Sequence, residues 1–167
     1  MKKIIVMIAV IAISMTKTTF AQSKTDAAFN QLLAAYYDVK NALAADKQDV
    51  AKEKANALSG KVDAIQHKDL PAAQHTLWME QSKIIKTKAS ELAAGKDIKA
   101  QRKSFELLSS AMIKTVRNIK FNNATVYVQH CPMVKASWLN EKENIENPYY
   151  GSMMFDCGDV AETIKSK

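Results

Sequence analysis

The sequence has few residues that interrupt regular secondary structure. Its 167 residues include only four glycines and three prolines, a composition that favours a mainly helical fold. Several motifs of catalysis and cofactor binding are also missing. There is no Cys-x-x-Cys-His haem attachment motif, no Cys-x-x-Cys redox pair and no Glu-x-x-His pair of a di-iron bundle. A glycine-rich phosphate loop and a serine nucleophile elbow are absent too. We therefore do not expect an enzyme.

The N-terminal residues have the pattern of a secretory signal peptide. Residues 1–3 carry positive charge, residues 4–14 are almost entirely apolar, and Ala21 is the small residue at the expected cleavage position. The apolar run is about half of the roughly 20 residues that span a bilayer, so a permanent anchor is not expected. We expect a signal peptide at residues 1–21 and one helical domain at residues 22–167. The expected location is periplasmic or secreted, without stable membrane insertion.

The positive charge of the chain is modest once the signal peptide is removed. Lys2, Lys3 and Lys17 lie in that leader, so the formal net charge falls from +7 to +4. The remaining lysines are spread along predicted helices and indicate a solvated surface. An exported, mildly basic protein is not expected to bind nucleic acid.

Apolar residues recur at spacings of three and four in four successive segments. These segments predict helices at about 25–44, from Asp46 or Asp49 to about Ile65, at about 72–94 and at about 98–120. Asp97 has the residue type and position of an N-cap for the fourth helix. Four amphipathic helices with short connections predict an up-down-up-down helical bundle.

The helical pattern ends near Asn122, and a C-terminal lobe of about residues 122–160 follows. Residues 125–128 are β-prone, and the chain then reads as irregular as far as Gly158. Residues 159–165 predict a final helical turn or two, capped by Asp159. We expect this lobe to pack across one end or side of the bundle.

Both cysteines of the chain lie in this lobe, each close to a methionine. If the strand continues through Pro132, Cys131 and Met133 point to the same face. Downstream, a helical turn would bring either Met153 or Met154 to the face of Cys157.

Thiolate and thioether groups are the ligands that soft cations prefer. The pattern therefore indicates a site for Cu(I) or Ag(I), with His130 as an optional nitrogen ligand. Zn(II), held by two thiolates and an imidazole, is the less favoured cation.

The same residues also have simpler interpretations. The methionines would then fill the core, and Cys131 and Cys157 would form a disulfide or remain as buried thiols. A thiol-redox enzyme would need an accessible cysteine of low pKa, and no activating partner is evident. His67 and His75 flank a predicted turn and are expected to be exposed loop histidines.

The lobe also resembles a family of exported bacterial domains of unknown function. The similar segments are residues 126–133 (VYVQHCPM), 138–141 (WLNE) and 145–151 (IENPYYG), together with Met154 and Cys157-Gly158. Upstream, residues 36–43, 97–105 and 107–109 resemble helices of that family. Its members occur alone or fused to the periplasmic adaptor subunits of Cus-type copper/silver efflux systems.

The resemblance implies copper or silver handling in the periplasm. It implies Cys131, Met133, Met154 and Cys157 as the ligands, whereas Met153 and His130 are only possible ones. An efflux adaptor or another copper protein is the implied partner. We therefore predict a soft-metal protein that buffers or delivers Cu(I) or Ag(I). The alternative is a disulfide-stapled helical interaction domain without metal.

Overall fold

The computed structural model describes residues 24–167, in which four helices precede a small antiparallel sheet. The helices are α1 (24–44), α2 (Gln48–Asp63), α3 (Ala72–Ala94) and α4 (Ile98–Ile119), with a short 3-10 helix at His67–Asp69. The prediction of a mainly helical bundle is confirmed. The expected signal peptide lies outside the described residues. Within residues 24–167, no helix is both long and apolar enough to cross a membrane.

Two acidic residues at helix ends have different roles. Asp97 caps α4 as predicted, because its carboxylate accepts a hydrogen bond of 2.7 Å from the Ala100 amide. Asp46 does not open α2, which begins at Gln48 without a side-chain cap. Asp46 instead has a positive φ of 57° in the turn after α1, and its carboxylate binds Arg102.

Aromatic side chains join the first helix to the rest of the bundle. The ring of Phe29 packs edge-on against Trp78 of α3 and stacks on Phe121, with centroid distances of 4.8 and 4.7 Å. One face of α1 also places Tyr36 on Phe105 of α4, at 5.4 Å. All five rings are buried and belong to the core.

The C-terminal lobe contains a three-stranded sheet in the order β2-β1-β3. The strands are β1 (Val126–Cys131), β2 (Ala136–Asn140) and β3 (Asp159–Ile164), and both pairings are antiparallel. The helical turns predicted at residues 159–165 are therefore wrong. The second edge of β1 presents backbone groups that need partners, and the β-branched residues Val160, Thr163 and Ile164 suit a strand.

A chain of hydroxyl groups fastens the sheet to the bundle. Tyr36 Oη accepts a hydrogen bond of 3.0 Å from the Leu139 amide and lies 2.6 Å from Ser109 Oγ. The Ser137 carbonyl accepts from Ser109 Oγ at 3.0 Å and from Tyr149 Oη at 2.9 Å. Burial raises the pKa of both tyrosines, so both remain protonated donors. The lobe thus packs on the bundle, as expected.

Candidate functional site

The β1–β2 hairpin places Cys131 at the last position of a strand. Cys131 pairs with Ala136, and residues 132–135 form the turn between them. The strand does not continue through Pro132, so the condition for Cys131 and Met133 to share a face of the sheet is not met; the chain reverses there, and proline offers no amide to the sheet. Met133 lies in the turn with 62% of its surface exposed.

Cys157 reaches Cys131 because the residue after it is a glycine. Gly158 has a φ of 144° and runs close to the neighbouring strands. A Cβ atom at this position would lie 2.7 Å from the His130 carbonyl oxygen and 3.1 Å from the ring of Trp138. Only glycine combines this backbone conformation with so close an approach.

Cys131 and Cys157, the thiol pair, are in hydrogen-bond contact as free thiols. Burial disfavours a charge on the Cys131 sulfur. The hydrogen bonds that the sulfur accepts outweigh burial and lower the pKa of Cys131. They come from the Val134 amide, the Asn147 side chain, the Met133 amide and the Cys157 thiol. Cys131 is therefore the thiol that ionises first.

The second thiol of the pair is shifted in the opposite direction. Burial, the hydrogen bond to Cys131 and the negative charges of Cys131 and Asp156 raise the pKa of Cys157. A thiolate at Cys131 thus holds the remaining proton on Cys157. The pair loses its two protons in separate steps that belong to both residues together.

Asn147 connects the two cysteine segments, and sequence reasoning did not single it out as a site residue. Its side-chain amide donates to the Cys157 carbonyl at 2.8 Å and also to the Cys131 sulfur. Its side-chain oxygen, Oδ1, accepts hydrogen bonds from the backbone amides of Tyr149 and Tyr150, at 2.8 and 3.3 Å. The available signal was an asparagine before a proline, a pair that is typical of a turn.

The three methionines of the lobe lie at the surface, on the turns that carry the thiol pair. Met133, Met153 and Met154 expose 62, 73 and 37% of their surface. The interpretation of these residues as core filler is therefore wrong. Met154 also shares a tight turn with Cys157, whose amide donates to the Met154 carbonyl at 3.2 Å.

The ring of His130 contacts Ser137, and this contact does not bring the ring to the thiol pair. Adjacent residues of a strand point to opposite faces, and His130 Nδ1 lies 3.0 Å from Ser137 Oγ across the hairpin. Within residues 24–167, no group of three or more His, Cys, Asp and Glu side chains is placed to hold a metal ion.

Two buried side chains shape the loop that leads to Asn147. The side-chain amide of Gln129 donates to the carbonyls of residues 142, 143 and 144, at 3.1, 2.9 and 3.0 Å. The amide of Asn140 bonds Gln129 and the carbonyl of residue 144, both at 2.9 Å. These amides satisfy loop carbonyls where the sheet covers them.

A fully buried lysine charge supports the same loop from the bundle. Lys40 Nζ lies 2.7 Å from Asn140 Oδ1, 2.8 Å from Glu146 Oε2 and 3.5 Å from Glu141 Oε2. The Lys40 side chain has no solvent exposure. Because a buried ammonium needs charged or polar partners, it fixes the position of the residues just before Asn147.

The far side of the loop is tied to the turn after α1. Arg102 donates to Asp46 Oδ1 at 2.6 Å and to the Pro148 carbonyl at 2.8 Å, and Ser152 N donates to Asp46 Oδ2 at 2.8 Å. Gly151, with a φ of 58°, leaves no room for a Cβ beside Asp46 and Arg102. Hydrogen bonds from Ser152 and then from Arg102 lower the pKa of Asp46 to about 2.

A family model described as "Protein of unknown function (DUF3347)" matches residues 32–124. The match spans most of the helical bundle and ends just before β1, so it includes neither cysteine. No curated protein and no solved structure matches the chain. The sulfur groups of the lobe are therefore interpreted from their own geometry.

Proposed function

We propose that this chain, which belongs to the family described as "Protein of unknown function (DUF3347)", binds a soft cation, Cu(I) or Ag(I). The ligands are Cys131 and Cys157, with Met133 and Met154 as the thioether donors. One observation carries the proposal. Cys131 and Cys157 are in contact as free thiols, and the Met133 and Val134 amides and the Asn147 side chain donate to the Cys131 sulfur.

The surroundings of Cys131 favour a thiolate, the form of cysteine that binds metals. The Met133 and Val134 amides of the hairpin turn donate to its sulfur. Such donors stabilise the negative charge of the thiolate, both when it is free and when a metal ion is bound to it. The turn therefore prepares Cys131 to hold a cation without rearrangement of the strand.

The exposure of the sulfur groups supports a role in metal transfer. The thioethers lie at the surface, Cys157 is half-buried and Cys131 is buried. A cation would enter through Met133 and Met154 and pass to the thiols by ligand exchange. The protein would buffer the metal after export to the periplasm, or deliver it to an efflux adaptor or another copper protein.

The burial of Cys131 argues against thiol-redox catalysis. A reactive cysteine combines a low pKa with exposure. Here the thiol of lowered pKa is inaccessible, and the more accessible Cys157 has a raised pKa. We therefore propose a binding function.

The thiol contact also supports one alternative function. Oxidation of Cys131 and Cys157 to a disulfide would staple the lobe and remove both thiolates. The chain would then be a helical interaction domain without metal. Metal binding and the disulfide exclude each other within one molecule, so a single titration distinguishes them.

Anaerobic titration of the reduced chain with Cu(I) against a competing chelator tests the proposal. We expect one Cu(I) per chain. Loss of a partner that only orients a ligand weakens metal binding about 10–100-fold, so Cys131→Ser or Cys157→Ser is expected to weaken it about 100-fold or more. The control His130→Gln is expected to bind as the wild type does. Unchanged affinity in the double cysteine variant contradicts the proposal. A chain that was never reduced, that mass spectrometry finds two hydrogens lighter than the reduced chain and that retains no copper favours the disulfide function.

The affinity for Cu(I) is expected to rise with pH. At a pH below the lowered pKa of Cys131, Cu(I) binding displaces about two protons. At a pH between the two pKa values of the thiol pair it displaces about one, and at a pH above both values it displaces none. A plot of log affinity against pH should therefore flatten in two steps. Competition titrations over a pH series measure this, and a pH-independent affinity would rule out the thiols as ligands.

A further inference from the structure

The two histidines at the α2–α3 connection meet. His67 Nδ1 and His75 Nε2 lie 3.1 Å apart, with ring centroids at 5.1 Å. The expectation of exposed loop histidines is therefore wrong, since both are half-buried. A 3-10 turn begins at His67, and the His75 amide donates to the Pro71 carbonyl in the first turn of α3. The connection thus folds back, so that the two imidazole rings face each other.

A thioether lines the same cleft as one ring of this imidazole pair. His67 lines a cleft of about 230 Å³ together with Met79 and Trp78. Met79 is one helical turn after His75, at i+4, and so shares its face of α3; it is 38% exposed. The nearby carboxylate of Asp63 is engaged by Lys86, with both oxygens 2.7 Å from Nζ.

We propose that His67 and His75 form a second metal site, which binds Cu(II) with Met79 as an additional donor. At a metal–nitrogen distance of about 2.0 Å, two ligands of one ion stand about 2.8–3.4 Å apart. The observed 3.1 Å lies within that range. Imidazole suits copper, and among the divalent first-row metals Cu(II) binds such ligands most strongly.

Binding requires only a small change in the imidazole pair. In the hydrogen bond, one of the two facing nitrogens carries the proton and the other accepts it. When Cu(II) enters, that proton moves to the outer nitrogen of the same ring. The rings tilt so that the lone pairs of both facing nitrogens converge on the metal, while the 3.1 Å separation of the two nitrogens is kept.

This site shares no residue with the thiol pair, so the two proposals succeed or fail separately. The sulfur site is suited to Cu(I), whereas the nitrogen site is suited to the oxidised ion. Variants of one site are expected to leave the other unchanged. This separation makes each pair of variants a folding control for the other.

Electron paramagnetic resonance tests the second site on the full chain with Cu(II) as the sole metal, after Cys131 and Cys157 have been oxidised to the disulfide so that no thiol reduces the metal. We expect nitrogen hyperfine splitting from two imidazoles in the wild type. His67→Gln and His75→Gln are each expected to remove the splitting pattern of two imidazoles and to weaken the affinity for Cu(II) about 100-fold or more, measured against competing glycine. The estimate is again set against the roughly 10–100-fold effect of losing a residue that only orients a ligand. Met79→Leu is expected to weaken binding less. The third histidine gives a matched control, since His130→Gln should retain both splitting and affinity.

Two results would overturn the second site. One is wild-type Cu(II) affinity in the double variant of His67 and His75. The other is an equal loss of affinity in His130→Gln. Retained Cu(I) binding in the double histidine variant verifies its fold. Loss of Cu(I) but not of Cu(II) in the cysteine variants supports the separation of the two sites.

Discussion

Replacement of Lys40 by methionine is expected to lower the free energy of unfolding by about 3–5 kcal/mol, the usual effect of breaking a buried ion pair. The substitution keeps an unbranched side chain, shorter by one atom, but removes the cation from between Asn140 and Glu146. Their oxygens would lose their central partner where the loop covers them. Chemical denaturation of both proteins measures the difference.

An exposed lysine with an ion pair of the same length provides the control. Lys86 Nζ is 2.7 Å from Asp63, but its side chain is 48% exposed. Lys86→Met is therefore expected to change the free energy of unfolding by at most about 1 kcal/mol. If Lys40→Met were as mild as Lys86→Met, the buried network would not be holding the lobe on the bundle.

Replacement of Gly158 by alanine is expected to affect both stability and metal binding. The backbone conformation alone costs a non-glycine residue about 1–3 kcal/mol. The new Cβ would also approach the His130 carbonyl to 2.7 Å. To relieve this contact, the chain would have to move away from β1 and take Cys157 with it. We expect lower stability together with weaker Cu(I) binding, measured by thermal unfolding and chelator competition.

Another glycine separates this local effect from a general one. Gly60 lies inside α2, and an added Cβ there would meet nothing within 4 Å. Gly60→Ala is expected to stabilise the helix by about 0.5–1 kcal/mol without changing Cu(I) affinity. Wild-type affinity in Gly158→Ala would show that the close passage at Gly158 does not position Cys157.

The helices followed from the sequence because their signals are local. The spacing of apolar residues and the Asp97 cap involve neighbours within a few turns, and the observed ends of α3 at Ala72 and Ala94 agree with the prediction. The role of Lys40 was less evident from the sequence. It lies four residues after the buried Tyr36, on the apolar face of α1, but its partners Asn140 and Glu146 are more than 90 residues away along the chain.

The lobe was harder to predict because its structure depends on distant pairing. The cap signal of Asp159 suggested a helix, whereas the free edge of β1 made the segment a strand. The sequence placed both Cys131 and Cys157 in the lobe but did not show whether their segments meet. Their contact, however, depends on Gly158, Asn147 and the loop before it. No local pattern indicated that His67 and His75 meet.

X-ray absorption at the copper edge of the chain loaded with one Cu(I) identifies the ligand atoms of the metal. We expect the nearest neighbours of copper to be sulfur atoms, from the thiol pair and at least one thioether. We expect fewer sulfur neighbours after Met133→Leu combined with Met154→Leu. Neighbours that are mainly nitrogen or oxygen in the wild type would show that the metal lies away from Cys131 and Cys157 and would rule out the proposed site.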